Sequence, residues 1–168
     1  MKKYLITGGC GFIGSNFIHH LIENKLSNQI INLDKMTYAG NAENLRTIEK
    51  RENYHFIHGD ICCQKTVREI LEKYEPDVIV HFAAESHVDR SIDEPAEFVQ
   101  TNVFGTLNLL HESNQWLKKI ERRSRDNFRF IHISTDEVYG SLGYEGKFKE
   151  NTAYDPSSPY SASKASSD

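Results

Sequence analysis

Tyr160 and Lys164 lie four residues apart where a helix is predicted to begin, at Pro159. One helical turn rises about 5.4 Å, so the two side chains share a face. A tyrosine hydroxyl titrates near ~10 and is a poor base at neutral pH. A neighbouring ammonium, together with a positively charged cofactor ring, favours the phenolate and is expected to lower that value. Such a tyrosine takes a hydroxyl proton as hydride leaves the same carbon. Tyr-x-x-x-Lys is also a common exposed helix pair, so its weight depends on its surroundings. Upstream, Thr135, Asp136 and Glu137 follow a predicted strand. They bring a hydroxyl and two carboxyls to one strand end, enough to orient a substrate and supply an acid and a base. An aspartate in a polar turn would look the same.

A second constellation stands at the N-terminus. Gly9, Gly11 and Gly14 satisfy G-x-G-x-x-G, and Gly8, Gly11 and Gly14 satisfy G-x-x-G-x-x-G. Glycines there allow a tight turn and let the backbone approach a pyrophosphate, which then meets the positive end of a helix. Asp34 ends the next predicted strand about twenty residues on, where a carboxylate meets ribose hydroxyls. It would repel a 2′-phosphate, which favours NAD over NADP. A loop aspartate is the plainer alternative.

Alternating elements must position these groups. Strands are expected at Lys3–Thr7, Gln29–Leu33, Tyr54–His58, Val78–Ala83 and Phe128–Ser134. Helical spacing marks Phe12–Glu23, Ala42–Lys50, Lys65–Tyr74 and a long Glu94–Leu117. The charged run Lys118–Asp126 is read as a solvated helix end and loop. Strand–helix alternation predicts an α/β fold, a Rossmann-type doubly wound parallel sheet. No stop signal precedes Asp168 in the helix begun at Pro159. Residues 1–168 are therefore expected to form one incomplete dinucleotide-binding domain, truncated before a C-terminal substrate domain.

Composition excludes several classes. Hydrophobic residues make up 38% and charged residues 26%, and the formal net charge is −4. No basic face suggests nucleic acid. No apolar run approaches the ~18 residues of a membrane span, and the N-terminus lacks a signal-peptide core. The cytoplasm is the expected compartment. The three cysteines have no disulfide or metal-ligand spacing and read as small buried or half-buried thiols. No metal is expected among the eight histidines.

The glycine turn, Asp34, Gly59-Asp60-Ile61, Thr101-Asn102 and the Tyr160/Lys164 pair resemble the extended short-chain dehydrogenase/reductase superfamily. Three longer motifs, His81–Ser91, Ser134–Gly140 and Pro156–Asp168, are similar to its nucleotide-sugar 4,6-dehydratases, those acting on dTDP-glucose. The resemblance implies that Gly8, Gly11, Phe12, Ile13 and Gly14 hold NAD, Phe12 and Ile13 through their backbone. It places Asp34, Lys35, Met36 and Thr37 around the ribose, and Asp60 and Ile61 beside the adenine. Phe82, Ala83, Ala84, Glu85, Ser86 and Thr101 would line the cofactor, with Ser86 and Thr135 also meeting the sugar. Tyr160 would be the base for C4 oxidation, and Lys164 would hold the nicotinamide ribose and the phenolate. Glu137 would take the C5 proton and Asp136 protonate the departing C6 hydroxyl, before hydride returns to C6. A homodimer is implied, paired through the long helix and the Tyr160 helix. A 4-epimerase, a UDP- or GDP-sugar dehydratase, and an NAD-binding fragment inactive alone are the competing readings.

Overall fold

Apolar residues of the first strand point both ways: Leu5 packs into one hydrophobic cluster and Ile6 into another. A strand apolar on both faces needs helices on both faces. The computed structural model describes residues 1–168, the side chains of 122 and 123 excepted. It shows five parallel strands: β1 (Lys2–Thr7), β2 (Ser27–Asp34), β3 (Tyr54–His58), β4 (Val78–His81) and β5 (Arg129–His132). Their order is β3-β2-β1-β4-β5. This is the predicted doubly wound sheet. α1 (Phe12–Glu23) contributes Ile18 and Leu21 to the cluster on one face. α2 (Gln64–Tyr74) and α5 (Thr106–Leu117) supply Val67, Leu71, Leu109 and Trp116 on the other.

The chain reverses its direction of travel across the sheet between β1 and β4, the place where open α/β sheets bind ligands. Register lines up the strand ends there. Thr7 pairs with Leu33 and with His81, and His81 pairs with His132. Every predicted site residue but Thr101, Tyr160 and Lys164 therefore leaves the sheet, or opens α1, along one edge.

Several predicted elements differ. Ala42–Lys50 is only a 3-10 turn at Ala42–Leu45, capped by the Asn41 side chain, and the rest is turn. β4 ends at His81 rather than Ala83, because Phe82–His87 peels away to form a wall of the site. β5 is shorter at both ends. α3 (Val88–Asp93) precedes the expected long helix, which runs unbroken from Pro95 to Leu117 as α4 (Pro95–Phe98), a π-helical Val99–Gly105 and α5. A π-segment re-aims side chains within a continuous helix and often marks a functional site. The charged run Lys118–Asp126, read as a helix end and loop, also holds most of a short helix, α6 (Arg122–Asn127). Among the thiols, Cys10 is buried, Cys62 half-buried and Cys63 exposed.

His81 ties the layers together. It is 1% exposed. Its Nδ1 lies 2.7 Å from Thr7 Oγ1 and its Nε2 2.9 Å from Thr106 Oγ1. Burial, aided by His132 and Lys164, pushes its pKa from 6.5 down to about 3. Unfolded, the imidazole takes a proton below ~6.5; folded, it stays neutral until about 3. The unfolded chain thus binds more protons in that window, and stability falls as pH drops through it. The expected loss approaches ~1.4 kcal/mol per pH unit. Urea unfolding of His81→Gln between pH 6.5 and 4 should show a flatter pH dependence than the parent. Parallel profiles would mean the folded imidazole accepts its proton freely.

Candidate active site

α7 (Pro159–Ser167) starts where its sequence says it must. Ser158 Oγ accepts from Ser161 N at 3.0 Å, and Ser161 Oγ accepts from Ser158 N at 3.0 Å. This capping box, with Pro159 at the first helical position, fixes the first turn and Tyr160 within it. Asn102, in the π-segment and 1% exposed, anchors the helix from below. Its Nδ2 donates to Ser163 Oγ at 2.8 Å and to Glu85 O at 2.9 Å, and its Oδ1 accepts from Glu85 N at 2.8 Å. One amide thus joins α7 to the wall that follows β4.

A cavity of about 430 Å³ lies over the strand ends. All the residues assigned to the cofactor line it except Met36. Met36 packs instead against the cluster under α1, with its N–H on Asp34 Oδ1 at 2.8 Å and a positive φ of 56°. Leu33, Ala39, Gly40, Gly59, Ile133 and Ser134 line the cavity unforeseen. All six follow or end a strand or sit in its loop, so the edge of the sheet was their available signal.

The cavity's floor is built for close approach. Gly8 has a φ of +71°, and a Cβ there would sit 2.6 Å from Ala83 N. A Cβ on Gly14 would strike the Gly8 carbonyl, so the start of α1 lies against the turn. No side chain caps α1, which leaves first-turn N–H groups for a ligand. Asp34 accepts from Cys10 N and Met36 N, both at 2.8 Å. Each of its oxygens retains a second acceptor position. At the same end Lys35 Nζ meets Asp60 Oδ2 at 2.8 Å. Burial works against ionisation of Asp60, but Lys35 and the Cys62 amide outweigh it and hold the carboxyl below its usual range. At the other end Glu85 is buried, and its Oε2 has no partner among the described residues. An extended diphosphate-linked ligand, with hydroxyls at the Asp34 end, fits these donors and acceptors.

Tyr160 and Lys164 stand at the β5 end of the cavity. The protein's own groups set their electrostatics. Lys164 Nζ donates to Ile133 O at 2.7 Å and lies 3.5 Å from His132 Nε2. Burial lowers its pKa, with Asp168 opposing. Tyr160 is not lowered in the protein alone. Burial raises it, a hydrogen bond with Thr135 opposes, and the charges of Glu137 and Asp136 raise it further. Thr135, Asp136 and Glu137 do not line the cavity. Thr135 caps the 3-10 turn Asp136–Tyr139, accepting from Glu137 N at 3.3 Å. Asp136 and Glu137 are exposed, just outside the cavity beside Tyr160. The structure therefore brings a tyrosine hydroxyl and two solvent-accessible carboxyls to one place.

Sheet order, glycine turn and the Tyr160/Lys164 helix together define a dinucleotide-binding domain of the extended short-chain dehydrogenase/reductase type. Residues 5–168 match the family model described as GDP-mannose 4,6 dehydratase, and the chain belongs to that family. It is 50% identical to the dTDP-glucose 4,6-dehydratase of Salmonella typhimurium, over 99% of this chain and 48% of that one. Among solved structures it resembles the Streptomyces venezuelae dTDP-glucose 4,6-dehydratase, with a TM-score of 0.87 and 42% identity over 98% of this chain and 49% of that one. A Thermus thermophilus UDP-glucose 4-epimerase gives 0.82 and 28%, over 98% and 48%. The chain spans about half the length of the curated relatives it matches.

Proposed function

We propose that this chain is the NAD-binding, catalytic-tyrosine part of a dTDP-glucose 4,6-dehydratase. The carrying observation is the placement of Asp136 and Glu137 beside Tyr160, at one end of a dinucleotide-shaped cavity. A 4-epimerase needs the tyrosine and the lysine but no acid–base pair for elimination. The dehydratase from Streptomyces venezuelae is described with NAD bound, which supports NAD as the cofactor here.

Bound NAD would supply a hydride acceptor that later returns the hydride, at C6. The residues do the rest. The N–H groups opening α1 hold the diphosphate, and Asp34 and Asp60 hold the adenosine. Lys164 holds the nicotinamide ribose. Tyr160 takes the C4 hydroxyl proton. The carbonyl so formed at C4 acidifies C5, Glu137 removes that proton, and Asp136 protonates the departing C6 hydroxyl; Glu137 then gives its proton back to C5, and the proton taken by Tyr160 restores Asp136. Thr135 and Ser86 orient the sugar. The product is dTDP-4-dehydro-6-deoxyglucose plus water.

Mass spectrometry of dTDP-glucose incubated with the complete gene product and NAD tests this. Loss of one water without net NADH is the expected result. A folded, NAD-binding protein that left the mass unchanged would overturn it and favour the epimerase or another nucleotide sugar.

A cytoplasmic homodimer belongs to the same proposal. No helix among the described residues is long and apolar enough to cross a membrane. Phe104, Leu107 and Leu110 are exposed along the π-segment and α5, an apolar stripe suited to a second copy.

A further inference from the structure

Tyr38 and Arg90 come from opposite walls of the cavity. Tyr38 sits in the loop 35–41 after β2, between Thr37 and Ala39, which both line the cavity. Arg90 sits on α3, just beyond Glu85 and Ser86 of the other wall. The Arg90 guanidinium carbon lies 4.0 Å from the centre of the Tyr38 ring. Neither residue belongs to a hydrophobic cluster. A stack that serves no core can serve to join the two walls.

Both partners are held for this contact. The loop is tied down by Met36 N on Asp34 Oδ1 at 2.8 Å, Gly40 N on Thr37 O at 3.0 Å and Asn41 N on Cys10 O at 3.0 Å. It therefore runs from the Asp34 end of the site across the glycine turn. Arg90 Nη2 is braced by Glu94 Oε2 at 3.1 Å. The Glu85 carboxyl, buried and with one oxygen unpartnered, acts electrostatically on both Tyr38 and Arg90. A reaction that takes a hydride and returns it needs a cofactor that stays through the cycle.

We propose that Tyr38 and Arg90, seated over Glu85, form a latch that keeps loop 35–41 closed over a bound dinucleotide and slows its departure. This rests on the reading above that the protein binds NAD and uses it without net consumption. A cation stacked on a tyrosine at a part-exposed site is consistent with about a tenfold change in a dissociation rate.

The complete protein, loaded with isotope-labelled NAD and chased with unlabelled NAD, gives that rate directly. Tyr38→Ala and Arg90→Ala should each release label about tenfold faster, and the double variant no faster than either single one. Tyr38→Phe, which keeps the ring under Arg90, should release more slowly than Tyr38→Ala. Folded variants that release label at the parent's rate would overturn the latch while leaving the cofactor reading intact. A parent protein that binds no NAD would overturn that reading, and the latch with it.

Discussion

Tyr160→Phe should slow C4 oxidation by about 10²–10⁴-fold while leaving NAD affinity within a few-fold of the parent. The substitution removes only the hydroxyl. The ring is half-buried and edge-on to Phe98, centroids 6.3 Å apart, and phenylalanine keeps that packing. The capping box at Ser158 and the Asn102–Ser163 bond fix the helix without the hydroxyl. What is lost is the hydroxyl proposed to take the C4 proton, a barrier increase of about 3–5 kcal/mol. Reduced nicotinamide followed at its absorbance in single turnover reads the chemistry, and calorimetry with NAD reads the binding. A variant that binds NAD and oxidises C4 at the parent's rate would remove Tyr160 from the reaction.

Asp136→Asn should separate the two halves of the reaction. Asparagine keeps the shape of an exposed residue whose turn is capped by Thr135, so the fold should not change. It cannot protonate the departing C6 hydroxyl, and elimination should slow by about 10²–10⁴-fold. Reduced cofactor should accumulate, with no loss of water in the mass spectrum. A second effect follows from charge. Asp136 is one of the groups that raise the Tyr160 pKa. Removing its charge lets the phenolate form at lower pH, so the acid limb of C4 oxidation should move to lower pH. Normal elimination in single turnover would take the acid role from Asp136. An unmoved acid limb would mean that Tyr160 does not feel its charge during the reaction.

The motif spacings were written in the chain because they are short-range. Gly8 to Gly14 spans one turn and the start of one helix, and Tyr160 to Lys164 spans one helical turn. Both the turn and the helix start can be deduced from residue type alone. The strands were legible for a related reason. β4 is buried along its whole length, and a continuous apolar run is how a central parallel strand reads. The doubly wound parallel sheet followed from strand–helix alternation.

Elements whose form depends on distant partners were not legible. Ala42–Lys50 has helical spacing, yet it is mostly turn, held by Asn44 on Cys10 O and His19 on Asn44 O. The run from Glu94 to Leu117 reads as one helix. It does run as one from Pro95, but its π-segment turns Asn102 inward to bonds with residues 17 and 61 positions away. Nothing local marks that amide as the link between two walls.

The surroundings of Tyr160 were hidden for the same reason. The spacing places Lys164 on the right face, but the Ile133 carbonyl claims its ammonium, while Asp136 and Glu137 approach the tyrosine from another element. The sequence by itself therefore determined which groups are present, on which elements, and at which edge of the sheet. Only the tertiary structure decided which of them touch, because hydrogen bonds and charges act over a few ångströms of space, whatever the distance along the chain.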